Sequence, residues 1–438
     1  MRTGVRGEVG SWVCGGESLP VPLASAAPPR TRAPRKRGGT GTDIAPEAIL
    51  TVSLLMLICI GVVMVYSASS AAALLSDESP QGLLLRQGIY AVIGLIVFAA
   101  CARLSPSRLV AIGKPAMVVS IAALVVVLMP GIGIMANGSR RWIGAGPVQV
   151  QPAEFAKLAL ILWLAGYLCK NAGRLDEMKT MRVPLIAMGV MAVLIVAEPD
   201  LGTAVVLVGV ALAMIVIVGV PARILGIITM GAVALGALGI AIAPYRRERL
   251  LAFLDPWADA KDTGYQIVQA KLAIGSGGVS GTGLGNGLQK VFYLPEAHTD
   301  MIMATVGEEL GLIGFLGVIA LVGAVVWSGY RIALSAPDQR QRLLAGGLTS
   351  LIGIQAIVNL GAVLGMLPVT GVPLPFMSYG GSSLVVFAAA SGILVGIGRR
   401  SRARRSRNLT VVRSGDEPAH RDRGGRDSRA HHAGARAG

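Results

Sequence analysis

Three aspartates, Asp255, Asp259 and Asp262, crowd into FLDPWADAKDTGYQ (253–266), between long apolar runs of the chain. A carboxylate within reach of a hydroxyl can take its proton as a general base. Asp255 directly precedes Pro256 and reads as a turn residue, leaving Asp259 and Asp262 as the candidates. Arginines supply the complementary chemistry. Arg140 and Arg141 lie in NGSRRWIG, and Arg246, Arg247 and Arg249 in YRRERL; the planar, many-donor guanidinium suits a phosphate. Glu154 and Lys157, in QPAEFAK just after Gln151, are three apart and share a helix face. They read equally well as substrate-binding charges or as an internal ion pair.

Further polar residues punctuate the apolar sequence. AEPDLGT carries Glu198 and Asp200 at a tight turn, where Asp200 reads as the cap of the following helix. His298, in YLPEAHTD, is the only histidine before the carboxyl-terminal tail. PLPFMSYGGSS (373–383) brings prolines, glycines and the hydroxyls of Ser378 and Ser382 to membrane depth, which fits a broken, re-entrant backbone lining a cavity. The glycine run GSGGVSGTGLGNG lacks the lysine and hydroxyl of a phosphate loop and reads as a flexible connector. The four cysteines have no metal-ligand spacing.

The elements that must hold these residues are set by composition. Of 438 residues, 53% are hydrophobic and 15% charged, too much apolar surface for a water-soluble chain to hide. The expected class is all-α and polytopic, with about ten membrane helices. They lie near 47–67, 87–102, 112–130, 153–169, 184–198, 202–220, 224–244, 301–330, 343–367 and 380–398. Residues 1–43 and 401–438 read as disordered basic tails around a membrane domain spanning 44–400, and 245–300 as a large loop between helices 7 and 8. The formal charge of +16 sits largely in those tails, which suits anionic lipid; with no aromatics interleaved, nucleic acid is not an expected partner. The opening residues lack the continuous apolar core of a cleaved signal, so the first span serves as an anchor. The positive-inside rule puts both termini in the cytoplasm and the polar loops outside the plasma membrane. Arg140, Arg141, Arg246, Arg247 and Arg249 then lie outside, against the rule, and two such clusters on one face favour an anionic substrate.

In combination, SRRWIGAGPVQVQPAEFAK, AEPDLGT, RRERLLAFLDPWADAKDTGYQIVQAKLAIGSGG, GTGLGNGLQK, YLPEAHTD, GEELGLIG and PLPFMSYGGSS resemble the SEDS family (shape, elongation, division and sporulation), and LPEAHTD with GLGNGLQK resembles its FtsW members most. The resemblance implies a membrane glycosyltransferase. It would polymerise lipid II into β-1,4 glycan with inversion, releasing undecaprenyl diphosphate, and would work with a class B penicillin-binding protein and other division or elongation proteins. Asp259 takes the place of the family's essential aspartate. Glu154 and Lys157 match its fourth-helix pair, and Arg141 and Trp142 its preceding loop. Gln151, Arg247, Gln266, His298, Ser378 and Ser382 complete the expected substrate-binding set. Ala260 replaces the usual proline after the aspartate, and Ala270 and HTDMIM are further mild departures. A divalent cation, Mg or Mn, could accompany the diphosphate, held partly by substrate. A lipid II flippase and a non-catalytic division scaffold are the alternatives.

Overall fold

The computed structural model describes residues 44–73, 80–136, 138–145, 148–292 and 294–415, so the amino-terminal tail and the end of the carboxyl-terminal one lie outside the described residues. Seven long helices come first: α1 (Pro46–Ala73), α2 (Pro80–Arg103), α3 (Pro106–Leu128), α4 (Pro152–Lys170), α5 (Met178–Ala197), α6 (Leu201–Val218) and α7 (Ala222–Ile242). Three short ones follow, α8 (Pro244–Leu254), α9 (Tyr265–Ser276) and α10 (Gln289–Phe292), before α11 (Ile302–Ser335), α12 (Gln339–Val363) and α13 (Gly381–Gly415). Ten of these are long and apolar enough to cross a membrane, in the places the hydropathy predicts. Five helices, α1 to α4 and α8, begin on proline, whose fixed φ and missing N–H suit a first helical turn.

Burial sorts the bundle into centre and rim. The apolar windows of α4, α12 and α13 are 72%, 78% and 83% buried, whereas that of α7 is 11% buried and faces outward. Small residues let the central helices approach closely. A Cβ on Gly113 of α3 would fall 2.7 Å from the Trp163 backbone of α4, and one on Gly392 of α13 would fall 2.3 Å from Phe98 O of α2. Gly311 leaves the helical region at φ 65°, breaking α11 into a short buried first part and a long second part.

Three features depart from expectation. Residues 131–152 are not a plain loop but carry a three-stranded antiparallel sheet, β1 (Gly133–Ala136), β2 (Ser139–Ala145) and β3 (Val148–Val150), in spatial order β1-β2-β3. Asn137-Gly138, with Gly138 at φ 72°, is the turn signal that marks its first hairpin. The 245–300 loop carries three helices and is docked through one of them: α9 buries Ile267, Val268, Ala270 and Ala273. Finally, α13 runs on to Gly415, through arginines expected in the disordered tail. Arginine is a good helix former, and Arg402 reaches Glu47 Oε1 at 3.2 Å.

The expected break in regular backbone is present between α12 and α13. Val372, Leu374, Phe376 and Ser378 are buried in non-helical backbone. Side chains of α12 satisfy its carbonyls, as buried backbone in a membrane requires: Gln355 Nε2 donates to Pro373 O at 3.0 Å and Asn359 Nδ2 to Val372 O at 2.8 Å.

Candidate active site at one end of the bundle

A cavity of about 450 Å³ opens where the sheet, the loop helices and the broken backbone meet. Arg86 and Tyr90 reach it from α2, Arg141 and Trp142 from β2, Gln149 from β3, and Gln151 from the junction before α4. Arg249 comes from α8 and Gln266 from α9. Glu296, His298, Thr299 and Asp300 enter on the turn before α11, and Tyr379 and Ser382 flank the start of α13.

The sheet is pinned to the bundle through its polar ends. Gln151 N donates to Ser382 Oγ at 3.0 Å, and Gln151 Nε2 to Asp200 Oδ2 at 3.1 Å. Asp200 caps α6 as its sequence position predicts, accepting from Thr203 N at 3.1 Å. Arg141 is held by backbone: Nε donates to Glu198 O at 3.3 Å and Nη2 to Pro199 O. Glu198 is fully buried and neither of its carboxyl oxygens has a hydrogen-bond partner. Burial and the neighbouring Asp200 push its pKa up to about 8, against the pull of Arg141.

The other wall is the EAHTD turn. Tyr379 N donates to His298 O at 2.9 Å, and Asn359 Nδ2 to Asp300 O at 2.7 Å. The rings of His298 and Tyr379 lie 5.5 Å apart. Burial lowers the pKa of His298 against the opposing charge of Glu296, favouring the neutral imidazole. Asp300 is pushed up to about 7, first by burial and then by Glu296, with its own backbone N–H, the Thr299 hydroxyl and Arg249 pulling the other way.

Of the residues expected at the site, the structure brings Arg141, Trp142, Gln151, Gln266, His298 and Ser382 into one lining. It keeps others out. Glu154 and Lys157 are buried inside the bundle, joined at 2.7 Å, with Lys157 Nζ also donating to Gln355 Oε1 at 2.6 Å. Ser378 is buried and accepts from Leu374 N at 2.8 Å. Arg247 is exposed on α8, where Arg249 lines the cavity instead. Asp259 is also exposed, in the turn before α9; its Oδ2 accepts from Thr263 Oγ1 at 2.8 Å and Thr263 N at 3.2 Å. Asp262 shares that exposed turn and is likewise outside the lining.

Sequence reading passed over Arg86, Glu296, Asp300 and Gln355. Arg86 and Gln355 stand as polar residues within apolar runs, itself a sign of function or pairing, and Glu296 and Asp300 flank His298 in a motif already picked out. Among the described residues no group of three or more His, Cys, Asp or Glu side chains could hold a metal ion. A Mg or Mn ion would depend on oxygens of the substrate's diphosphate.

The fold and cavity define a multi-pass membrane protein with its polar site at one end of a helical bundle. The chain belongs to the FtsW/RodA/SpoVE family, described as cell cycle protein, which it matches over residues 47–403. It is 41% identical over 366 residues to stage V sporulation protein E of Bacillus subtilis, covering 83% of this chain and all of that protein. To a probable peptidoglycan glycosyltransferase FtsW of Geobacter metallireducens it is 42% identical, covering 81% of this chain and 95% of the relative. Among solved structures it is similar to one on the structural coordination of polymerization and crosslinking by a peptidoglycan synthase complex. That likeness has a TM-score of 0.67 and 31% identity, over 80% of this chain and 97% of the other. RodA of Thermus thermophilus is similar at a TM-score of 0.59 and 29% identity, covering 80% of this chain and 96% of that one.

Proposed function

We propose that the cavity holds the anionic diphosphate of a lipid-linked sugar donor, lipid II, while a sugar hydroxyl attacks the donor's anomeric carbon. The activity itself is peptidoglycan glycosyl transfer, carried by membership of the family and by relatives named for that reaction. The observation that supports the placing is the meeting of Arg86, Arg141 and Arg249 in one cavity at the end of a membrane bundle. Preorganised cations stabilise the charge that develops on a departing diphosphate.

Chain growth forms a bond from the acceptor oxygen to the anomeric carbon and breaks the bond from that carbon to the phosphate oxygen. The electron pair leaves on the diphosphate, and the acceptor's proton goes to a carboxylate. Direct displacement on an α-linked donor inverts the centre and gives a β-1,4 bond. Asp259 is the base in this reading, supported by its family position and by the chain's continuity into α9, which presents Gln266 to the cavity. Its turn must fold over the mouth of the cavity to act. Glu154 and Lys157 serve from the layer behind, on the helix whose first turn follows Gln151.

The cavity faces outward from the plasma membrane with both termini cytoplasmic, the orientation that leaves the basic segments inside. The partner is a class B penicillin-binding protein, in keeping with likeness to a peptidoglycan synthase complex. Cysteine labelling of the α9 and EAHTD turns in intact cells tests the orientation; protection of both sites would overturn it.

The test of the reaction is glycan synthesis from lipid II in detergent by purified protein, with and without its transpeptidase. Product formed with no membrane to cross excludes a flippase as the whole activity. Asp259→Asn should abolish synthesis. Normal synthesis by that variant, or loss confined to Asp262→Asn, overturns the assignment of the base.

A further inference from the structure

The mechanism above leaves two carboxyl groups of the cavity unused. Glu296 and Asp300 both line it, bridged by one hydroxyl: Thr299 Oγ1 lies 2.9 Å from Glu296 Oε2, 3.1 Å from Glu296 O and 3.3 Å from Asp300 Oδ1. A threonine hydroxyl has a single proton to donate. If both carboxyls were ionised, Thr299 could serve only one of them, leaving the other to turn an oxygen toward its lone pairs beside whatever its own backbone N–H supplies. With Asp300 protonated the chain is complete: Asp300 donates to Thr299, and Thr299 donates to Glu296. The turn is not free to relax away from this arrangement. Asn359 Nδ2 grips Asp300 O while also binding Val372 O, and Tyr379 N grips His298 O.

Charge in the cavity depends on that proton. Arg86 from α2, Arg141 from β2 and Arg249 from α8 line the cavity together with Glu296 and Asp300; Tyr90, His298 and Tyr379 are the other titratable groups, and Gln266 and Ser382 are neutral. When Asp300 is neutral, three guanidiniums face a single carboxylate. When it is ionised they face two, and an entering anion meets a like charge in a partly enclosed site.

We propose that the Glu296–Thr299–Asp300 turn is a proton-dependent receptor wall for the donor's diphosphate, with Asp300 neutral in the form that binds. Asp300 acts here as a specificity-determining group that selects for the anion, with the transfer step left to the base. The inference rests on the reading that the diphosphate occupies this cavity. Burial and the charge of Glu296, which together push Asp300 up to about 7, place the change near the working pH. A carboxyl with a raised pKa is neutral below it and ionised above it, so affinity for the donor falls as pH rises through about 7.

The experiment is steady-state glycan synthesis by the full-length protein with its transpeptidase, measured from about pH 6 to about pH 8.5 with lipid II as the probe. The diphosphate diester of lipid II keeps a constant charge over that range, so a change in KM reports the protein. The wild type should show KM rising roughly five- to tenfold across the range. Asp300→Asn should keep the low KM with little pH dependence, because the amide is neutral and can still donate to Thr299. Glu296→Gln removes the charge that raises the Asp300 pKa and should move the rise in KM to lower pH; it serves if Asp300→Asn does not fold. A wild-type pH dependence of KM retained in Asp300→Asn, or in Glu296→Gln, overturns the proposal. Arg249→Gln separates this from the reading beneath it. If that variant and Arg86→Gln both leave KM for lipid II unchanged, the diphosphate does not sit in this cavity, and the placing itself fails.

Discussion

Lys290 with Glu309 and Lys157 with Glu154 are two buried ion pairs in one bundle, built in different ways. Lys290 Nζ lies 2.5 Å from Glu309 Oε1 and donates to Ser67 Oγ at 2.9 Å. Ser67 Oγ lies 2.7 Å from both Glu309 oxygens, and Gly285 N donates to Oε2 at 3.2 Å. That pair joins α1, the glycine segment, α10 and α11, and both oxygens of its carboxylate are in use. The second pair sits on a single helix and gains Gln355 from α12 and the face of the Phe387 ring of α13, 5.7 Å from Lys157 Nζ; Glu154 Oε2 has no hydrogen-bond partner. A closed network spanning distant segments fixes where they sit. A pair with a spare buried acceptor, on the helix whose first turn follows the cavity residue Gln151, has room to respond to what the cavity holds. The first is a clasp, and under the proposed function the second is the part that supports the cavity.

The largest effect tests the clasp. Glu309→Ala strands Lys290 in the bundle and should remove about 3–5 kcal/mol of stability, seen as lost folded yield and a lower melting temperature in detergent. Replacing both partners by apolar residues, Lys290→Met with Glu309→Leu, should recover much of that loss. A Glu309→Ala protein that melts like wild type would break the comparison from this side.

Next comes the second pair. Glu154→Gln keeps an acceptor for Lys157 and should cost about 1–2 kcal/mol of stability. Its glycan synthesis per folded molecule should nevertheless fall by roughly ten- to a hundredfold. Glu309→Gln should show the opposite split, with greater loss of folded protein and activity per folded molecule within about threefold of wild type. Equal activity losses in the two glutamine variants would erase the distinction.

Glu198 extends the series to a buried carboxyl with no hydrogen-bond partner at all. Its pKa rises from an ordinary 4.5 to about 8 on folding. The stability of its neutral folded form is therefore fully present below about pH 4.5 and is lost progressively as pH rises to about 8. Glu198→Gln should flatten that part of the melting-temperature profile; an unchanged slope would assign the pH dependence to other groups. The smallest effect belongs to the pair at the other end of the bundle in which an exposed arginine meets the buried Glu47. Arg402→Ala, which loses the contact to Glu47, should shift stability by no more than about 1 kcal/mol, and less in high salt.

Much of the molecule was legible because membrane insertion is decided by local composition. Ten apolar runs predict ten crossing helices, and the EPDLG gap, with a cap at Asp200, separates α5 from α6 as its turn residues demand. The three-residue spacing of Glu154 and Lys157 put them on one helix face, since a helix fixes that distance by itself, but left open whether they pair, as they do. The sheet at 133–150 escaped notice although Asn137-Gly138 announces its first turn, because hydropathy over a long window averages short strands away.

The sequence by itself determined the helices, their prolines, the polar motifs between them and the family those motifs resemble. All of these depend on residues close together in the chain or on their order along it. Only the tertiary structure decided which motifs share a cavity. It joined Arg86 and Arg249 to the EAHTD turn, left Asp259 at the exposed turn before α9, and set Gln355 against Lys157 and Ser67 against Glu309. Those partners are distant in the chain, and no local propensity encodes their meeting. Packing of the central helices brings them together, and burial then sets the charge they can carry.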